Sequence, residues 1–219
     1  MSAGDLLASS EAILVDLDGT LVDSSAPVER VWKAFAARHG LDPEYVNHFA
    51  HGRPAGESVR LLVPDGDHEA ETAAIRQTEL SDTDGVRALP GASDLLTAPP
   101  RPLAIVTSCS TALAHVRLRA AGLPIPAILV SSDGLERGKP DPECFLIAAR
   151  LLAVDPEACL VLEDAPAGVQ AGKSAGAAVI AVRSTHPDEE LREADAIVDH
   201  IAELLDAANV RSSRSNSAA

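Results

Sequence analysis

Large rings are scarce in this chain: aromatic residues make up 2% of 219 residues, one Trp, one Tyr and three Phe. A core without them has to be aliphatic and rich in alanine. Cysteine is also sparse. Cys109, Cys144 and Cys159 are odd in number and lack Cys-x-x-Cys spacing, which argues against a disulfide framework and a cysteine-based zinc site and leaves three reduced thiols. Lysine is rarer than its charge class suggests, with Lys33, Lys139 and Lys173 the only three among 18 basic residues, and the formal net charge is −15. Such a surface repels polyanions, so nucleic acid and anionic membrane are poor partners. No apolar run approaches the roughly 20 residues of a membrane span. The first fifteen residues place no basic cluster before their apolar run, so a cytoplasmic protein is expected.

What is present is patterned. The run Ala12–Leu17, stopped by Gly19, has the form of a strand buried on both faces. Similar runs at Leu103–Val106, Ile125–Val130, Cys159–Leu162, Ala178–Val182 and Ala196–Val198 are separated by helix-length segments. Among these are Ala112–Ala121, ended by Gly122, and Pro142–Leu152, with Asp141 as its candidate cap. Alternating strands and helices predict an α/β fold, a parallel sheet with helices on both faces.

The interval 24–89 breaks the alternation. Val28–His39, Pro43–Phe49, Gly56–Leu62 and His68–Ser81 all read as helical, with no convincing strand among them. The expected organisation is a core of residues 1–23 and 90–208, an inserted α-helical cap of residues 24–89, and a polar, aperiodic and disordered tail at 209–219.

Four short segments carry chemistry. Asp16-Leu17-Asp18-Gly19-Thr20 follows the first strand, at the strand end where open α/β sheets place their sites. A turn at Gly19 would let one carboxylate attack while the other moves a proton, although Asp-x-Asp-Gly alone also fits a capped turn. Thr107-Ser108-Cys109-Ser110 places hydroxyls and backbone N–H groups before a helix, which suits a phosphate and equally a plain N-cap. Lys139 sits between Gly138 and Pro140; a lone lysine is ordinarily a solvated charge, but a restrained loop can fix a cation opposite phosphate. Glu163-Asp164 ends another strand, and two adjoining acids at such a point call for a cation, magnesium being the one suited to hard oxygens.

These four segments, in this order, resemble the motifs of the haloacid dehalogenase superfamily from about Ile13 to Ala208. The resemblance implies a Rossmann-like core with an inserted cap. It implies a nucleophile at Asp16, a general acid/base at Asp18, phosphate binding by Thr107, Ser108, Cys109 and Lys139, and Mg2+ held by Asp16, Asp18 (through its carbonyl), Glu163 and Asp164. Dehalogenases lack the second aspartate and ion-pumping ATPases carry threonine there, so Asp18 points to the phosphatase and phosphomutase branches. Glu163-Asp-Ala-Pro-Ala-Gly168 and Gly138-Lys-Pro-Asp-Pro-Glu143 are similar to sugar-phosphate and glycerol-phosphate phosphatases. Cys109 departs from the glycine expected after Thr-Ser, which raises crowding of the phosphate and sensitivity to oxidation.

The implied activity is hydrolysis of a small phosphorylated metabolite, a sugar- or polyol-phosphate monoester, by a Mg2+-dependent monomer through an aspartyl-phosphate. A phosphomutase of the β-phosphoglucomutase type and a non-catalytic phosphometabolite-binding regulator are the alternatives. Selectivity would come from the cap, where His51, Gly52 and Arg53 form a candidate substrate loop. Glu79, Asp82 and Asp84 read as a charged surface near a hinge. Arg60 and Arg76 lie on amphipathic helices and are expected to face solvent, leaving room for one phosphate.

Overall fold

The computed structural model describes residues 1–50 and 53–207. In chain order its elements are α1 Ala3–Ser9, β1 Ala12–Val15, β2 Val22–Asp23, α2 Ser25–His39, α3 Pro43–Ala50, α4 Ala55–Leu62, α5 His68–Ser81, β3 Arg87–Ala88, α6 Ala92–Thr97, β4 Leu103–Val106 and α7 Thr111–Ala120. There follow β5 Leu129–Val130, α8 Glu143–Leu152, β6 Cys159–Glu163, α9 Pro166–Ser174, β7 Ala178–Val182, α10 Asp188–Leu191 and β8 Ala196–Val198. Six strands form one sheet in the order β5-β4-β1-β6-β7-β8, every pairing parallel.

The contiguous apolar runs follow from burial on both faces. Ile13, Val15, Ile105, Leu160 and Leu162 pack into one layer with Leu7 of α1, Leu95 of α6 and Leu118 of α7. Their neighbours Ala12, Leu14, Ala104, Val106 and Val161 pack into the other with Phe145 and Ala148 of α8 and Val169 of α9. Successive strand side chains point to opposite faces, so each run needs apolar residues at every position. Full burial of a Leu or Phe contributes about 1.5–3 kcal/mol, and Leu14, Leu160, Leu162 and Phe145 are all at 1% exposure or less.

The strand expected at Ile125–Val130 shrinks to Leu129–Val130. Pro124 and Pro126 lack the N–H groups a ladder requires, so pairing starts only beyond them. Two further elements carry no strong sequence signal. One is α1, whose Ser2 and Asp5 form a reciprocal capping box; the other is the antiparallel pair β2–β3, with Val22 opposite Ala88, which puts a short strand inside the interval read as wholly helical.

Between β2 and β3 lie α2 to α5, around a separate apolar cluster of Val31, Trp32, Phe35, Val46, Val59 and Ile75. Trp32 and Phe35 meet edge to face with ring centroids 5.4 Å apart. Four of the five aromatics (Trp32, Phe35, Tyr45 and Phe49) belong to α2 and α3, so the sheet layers are as aliphatic and alanine-rich as the composition requires. Arg30 clamps the exit of this helical unit, donating to Asp82 Oδ2 at 2.7 Å, to Asp82 Oδ1 at 2.8 Å and to the Asp84 carbonyl at 2.7 Å. Among the described residues no helix is long and apolar enough to cross a membrane.

Candidate active site

Because β4 and β6 both flank β1 in the sheet, segments far apart in sequence end side by side: Asp16 after β1, Thr107 after β4, Glu163 and Asp164 at the end of β6. The loop before α8 adds Lys139, across a cis peptide to Pro140. A cavity of about 780 Å³ opens here, lined by Asp16, Asp18, Thr107, Ser108, Cys109 and Lys139 on the sheet side.

At its floor the Lys139 ammonium donates to Asp16 Oδ1 at 2.6 Å, to Glu163 Oε1 at 2.6 Å and to the Val106 carbonyl at 3.1 Å. Its side chain is only 3% exposed. Burial alone would depress the lysine, but the two carboxylates more than offset this and hold it protonated above its usual range. Glu163 Oε2 accepts the N–H groups of Asp164 at 2.9 Å and Ala165 at 3.1 Å, so both Glu163 oxygens are engaged. This explains Gly168: a Cβ there would sit 1.8 Å from Glu163 Oε1.

Asp16, Glu163 and Asp164 each bring a carboxylate oxygen within 4.8 Å of the others, all three buried. Burial pushes the Asp16 carboxyl well up, against the opposing pull of Lys139. Burial, then the nearby Glu163 charge, raises Asp164 to about 8. Buried acids this close repel unless a cation joins them. The all-oxygen donor set suits a hard divalent ion and fits Mg2+. Asp164 is also braced, by Thr20 Oγ1 at 3.3 Å and by the Thr185 hydroxyl. Gly19, at φ +85°, turns the chain against it so closely that a Cβ would meet Asp164 Oδ2 at 2.1 Å.

Asp18 lines the same cavity, but its carboxylate turns from Asp16's lysine to other partners. Oδ2 accepts from the Arg117 guanidinium at 2.5 Å and Oδ1 from Ser24 Oγ at 2.7 Å. Arg117, 7% exposed, also donates to Glu79 Oε1 of α5 at 3.2 Å. Burial would lower the guanidinium's pKa, but Asp18 and the other neighbouring acids hold it above its usual range. Burial raises Glu79 against the influence of Arg117. Reading the sequence missed Arg117, since a basic residue in a helix beside Arg119 and His115 looks solvated. Glu79, expected on a charged surface, is instead a cavity wall, whereas Asp82 is held by Arg30.

In the segment expected to bind phosphate, Thr107 Oγ1 accepts the Cys109 N–H at 3.2 Å and lies 3.2 Å from its sulfur, closing a turn within the segment. Two of the expected phosphate donors therefore satisfy each other here, while Ser108 lines the cavity beside them. Burial, then the Asp18 charge, pushes the Cys109 thiol up to about 12, so it stays protonated at neutral pH and is a poor thiolate nucleophile. Ser110 caps α7, accepting the Leu113 N–H at 3.3 Å.

On the opposite wall Arg53 lies 4.9 Å from the Phe49 ring centroid and 3.7 Å from Glu57. His51 and Gly52 of the proposed substrate loop lie outside the described residues. Arg60 and Arg76 are exposed, as expected, yet both line the cavity with Arg53. Facing solvent and lining the cavity go together here, since α4 and α5 each turn one polar edge toward it.

Comparison with known proteins gives the same arrangement a lineage. Residues 11–176 match the sequence profile of haloacid dehalogenase-like hydrolases. Hexitol phosphatase A of Escherichia coli is 43% identical over 201 residues, covering 89% of this chain and 93% of that protein. Validoxylamine A 7'-phosphate phosphatase of Streptomyces hygroscopicus subsp. limoneus is 35% identical over 207 residues, covering 87% and 94%. The crystal structure of a hydrolase from Pseudomonas syringae superposes with a TM-score of 0.80 at 28% identity, over 90% of this chain and 96% of that one. The chain belongs to the haloacid dehalogenase-like hydrolases.

Proposed function

We propose that this protein hydrolyses a small sugar- or polyol-phosphate monoester through an aspartyl-phosphate on Asp16. The observation that carries the reading is the buried Lys139 ammonium 2.6 Å from both Asp16 and Glu163, beside the acid cluster that suits Mg2+ and under a cavity of about 780 Å³. Similarity to a hexitol phosphatase at 43% identity supports the substrate class.

Asp16 Oδ attacks phosphorus while the bond from phosphorus to the alcohol oxygen breaks. Lys139 and Ser108 compensate charge on the phosphoryl oxygens. Asp18, protonated, gives its proton to the departing alkoxide. As a carboxylate it then takes a proton from the water that attacks phosphorus, the Asp16–phosphorus bond breaks, and inorganic phosphate leaves. Asp16, Asp164, Glu163 and the Asp18 carbonyl would hold Mg2+, which when bound offsets the repulsion between Asp16 and the phosphate dianion. With both of its oxygens already engaged, Glu163 suits fixing Lys139 at least as well as direct ligation. The helices α2 to α5 act as the cap and supply the walls that meet the organic part of the substrate.

Arg117 holds Asp18 in the waiting position. Reaching the leaving oxygen requires the carboxylate to exchange this contact for the substrate, and the link onward to Glu79 ties that movement to α5. Arg117→Ala is expected to lower kcat by about 10²-fold on alkyl phosphates. Aryl phosphates, whose leaving groups scarcely need the proton, should lose less than a tenth of that factor. Initial rates on both classes check it, and equal losses would mean that Arg117 acts only on stability.

A second reading, return of the phosphoryl group to a sugar as in a mutase, draws support from Arg53, Arg60 and Arg76 on the far wall, which could receive a second phosphate. Assay against hexitol, hexose and glycerol monophosphates decides between them. Hydrolysis gives one inorganic phosphate per alcohol formed, is silenced by excess chelator and returns with magnesium. Isomerisation that depends on added bisphosphate, with negligible phosphate release, would establish the mutase instead. Turnover undiminished in chelator would remove Mg2+ from the account.

A further inference from the structure

Arg117 is the one buried arginine among the described residues, and its terminal nitrogens divide between the sheet unit and the helical unit. Nη1 donates to Asp18 Oδ2, whereas Nη2 donates to Glu79 Oε1 at 3.2 Å. Glu79 lies in the last turn of α5, the helix that leads out of the helical unit toward β3, and its side chain is 10% exposed. The same edge of α5 meets the sheet unit one turn earlier. There Arg76 adds its charge to the Thr111 N–H that chiefly holds the Asp133 carboxyl below its usual range. Pro54, at the start of α4, seats on Gly138 so closely that a Cβ there would lie 2.7 Å from the proline ring. The helical unit is thus docked on the sheet unit through both α4 and α5, and Glu79 sits within that contact.

What Glu79 contributes follows from charge. Asp18 cannot reach the leaving oxygen while its carboxylate stays on Arg117, and a guanidinium cannot shed its proton. Once Asp18 turns away, Arg117 either has a second anion in reach or is left as an uncompensated buried cation, which is strongly unfavourable. Among the described residues Glu79 is the only other acid in contact with it. Cys109, also beside the guanidinium, is a neutral thiol and cannot take that part. The 3.2 Å contact to Glu79 is longer than the roughly 2.7–2.9 Å of a strong charge-assisted bond, as suits a partner that tightens when the first one leaves.

We infer that Glu79 is a positioning residue for proton transfer by Asp18, holding Arg117 paired while the Asp18 carboxylate turns to the substrate. This role rests on the phosphatase reading and adds to it a residue outside the four sequence segments. It also gives the helical unit a share in the chemistry. With α5 docked, Glu79 supplies the counter-charge and Asp18 is free to move. With Glu79 removed or neutral, the guanidinium keeps its hold on Asp18, and the leaving alkoxide waits longer for its proton.

Glu79→Gln in the intact protein tests this, since the amide keeps the size and can still accept from Arg117 but brings no charge. On hexitol and glycerol phosphates kcat should fall about tenfold with KM within about twofold, while turnover of aryl phosphates should change by less than about twofold. In an Arg117→Ala background the same substitution should cost nothing further on either class, because Glu79 acts only through the guanidinium. Glu79→Asp, which keeps the charge, should retain at least about a third of the native turnover of alkyl phosphates. Equal losses on alkyl and aryl esters, a rise in KM alone, a further tenfold loss without Arg117, or a loss in Glu79→Asp as large as that in Glu79→Gln would each overturn the role of Glu79 and leave the phosphatase reading standing. A native protein that releases phosphate from no ester would overturn that reading and Glu79's role with it.

Discussion

Asp16→Asn should lose at least about 10⁴-fold in kcat, because a carboxamide oxygen cannot form the acyl phosphate and the surrounding charges then have no reaction to accelerate. The loss should fall on kcat and leave KM within a few fold, since Lys139, Ser108 and the far wall of the cavity still receive the substrate. Folding should survive. Burial already pushes the Asp16 carboxyl well above its ordinary range, so replacing it with a neutral group relieves repulsion from Glu163 and Asp164 while costing one of the three contacts of Lys139. Thermal unfolding and steady-state phosphate release check both halves. A variant retaining more than about one part in 10² of turnover would move the nucleophile elsewhere.

The parts of this molecule legible in the sequence are those determined by neighbours along the chain. Strands β1, β4, β6 and β7 were recognisable because burial on both faces demands unbroken apolar runs, and α5 because His68–Ser81 reads as helical; the Asp67 side chain that caps it, accepting the Ala70 N–H at 3.1 Å, carried no part of that reading. The positions of Asp16, Glu163 and Asp164 followed from strand ends in a parallel sheet, and that of Lys139 from a restrained loop before a helix. What stayed hidden depends on contacts across the chain. Arg117 meets an acid 99 residues away and Thr185 one 21 residues away, and periodicity carries no signal for either. Local pattern also overstated β5, where Ile125 and Ile128 look strand-like but Pro124 and Pro126 deny the ladder its donors. Arg60 and Arg76 show the same limit from the other side, since being polar on an amphipathic helix does not distinguish open solvent from a solvated cavity wall.

Lys139→Met should reduce kcat/KM by about 10²–10³-fold and lower stability by about 3–5 kcal/mol at pH 8, because it leaves Asp16 and Glu163 buried together without their cation. The stability loss depends on pH. Asp16 has a folded pKa raised by burial and, without Lys139, loses the influence that opposes the rise. A raised carboxyl favours the folded state while protonated, so this stability is present below the unfolded value of about 4 and is lost as pH increases through the folded pKa. Magnesium-free Lys139→Met should accordingly be closest to the native protein near pH 5 and fall away toward pH 8. Adding Glu163→Gln removes one uncompensated charge at the contact where Lys139 lay 2.6 Å from Oε1. The double variant should recover part of the stability at pH 8 and none of the activity, because its cavity floor still has no cation to meet the phosphate. Chemical denaturation at the two pH values, alongside phosphate release, separates the effects. A pH-independent loss of stability, or activity restored by Glu163→Gln, would mean that Lys139 serves the site by filling space rather than by its charge.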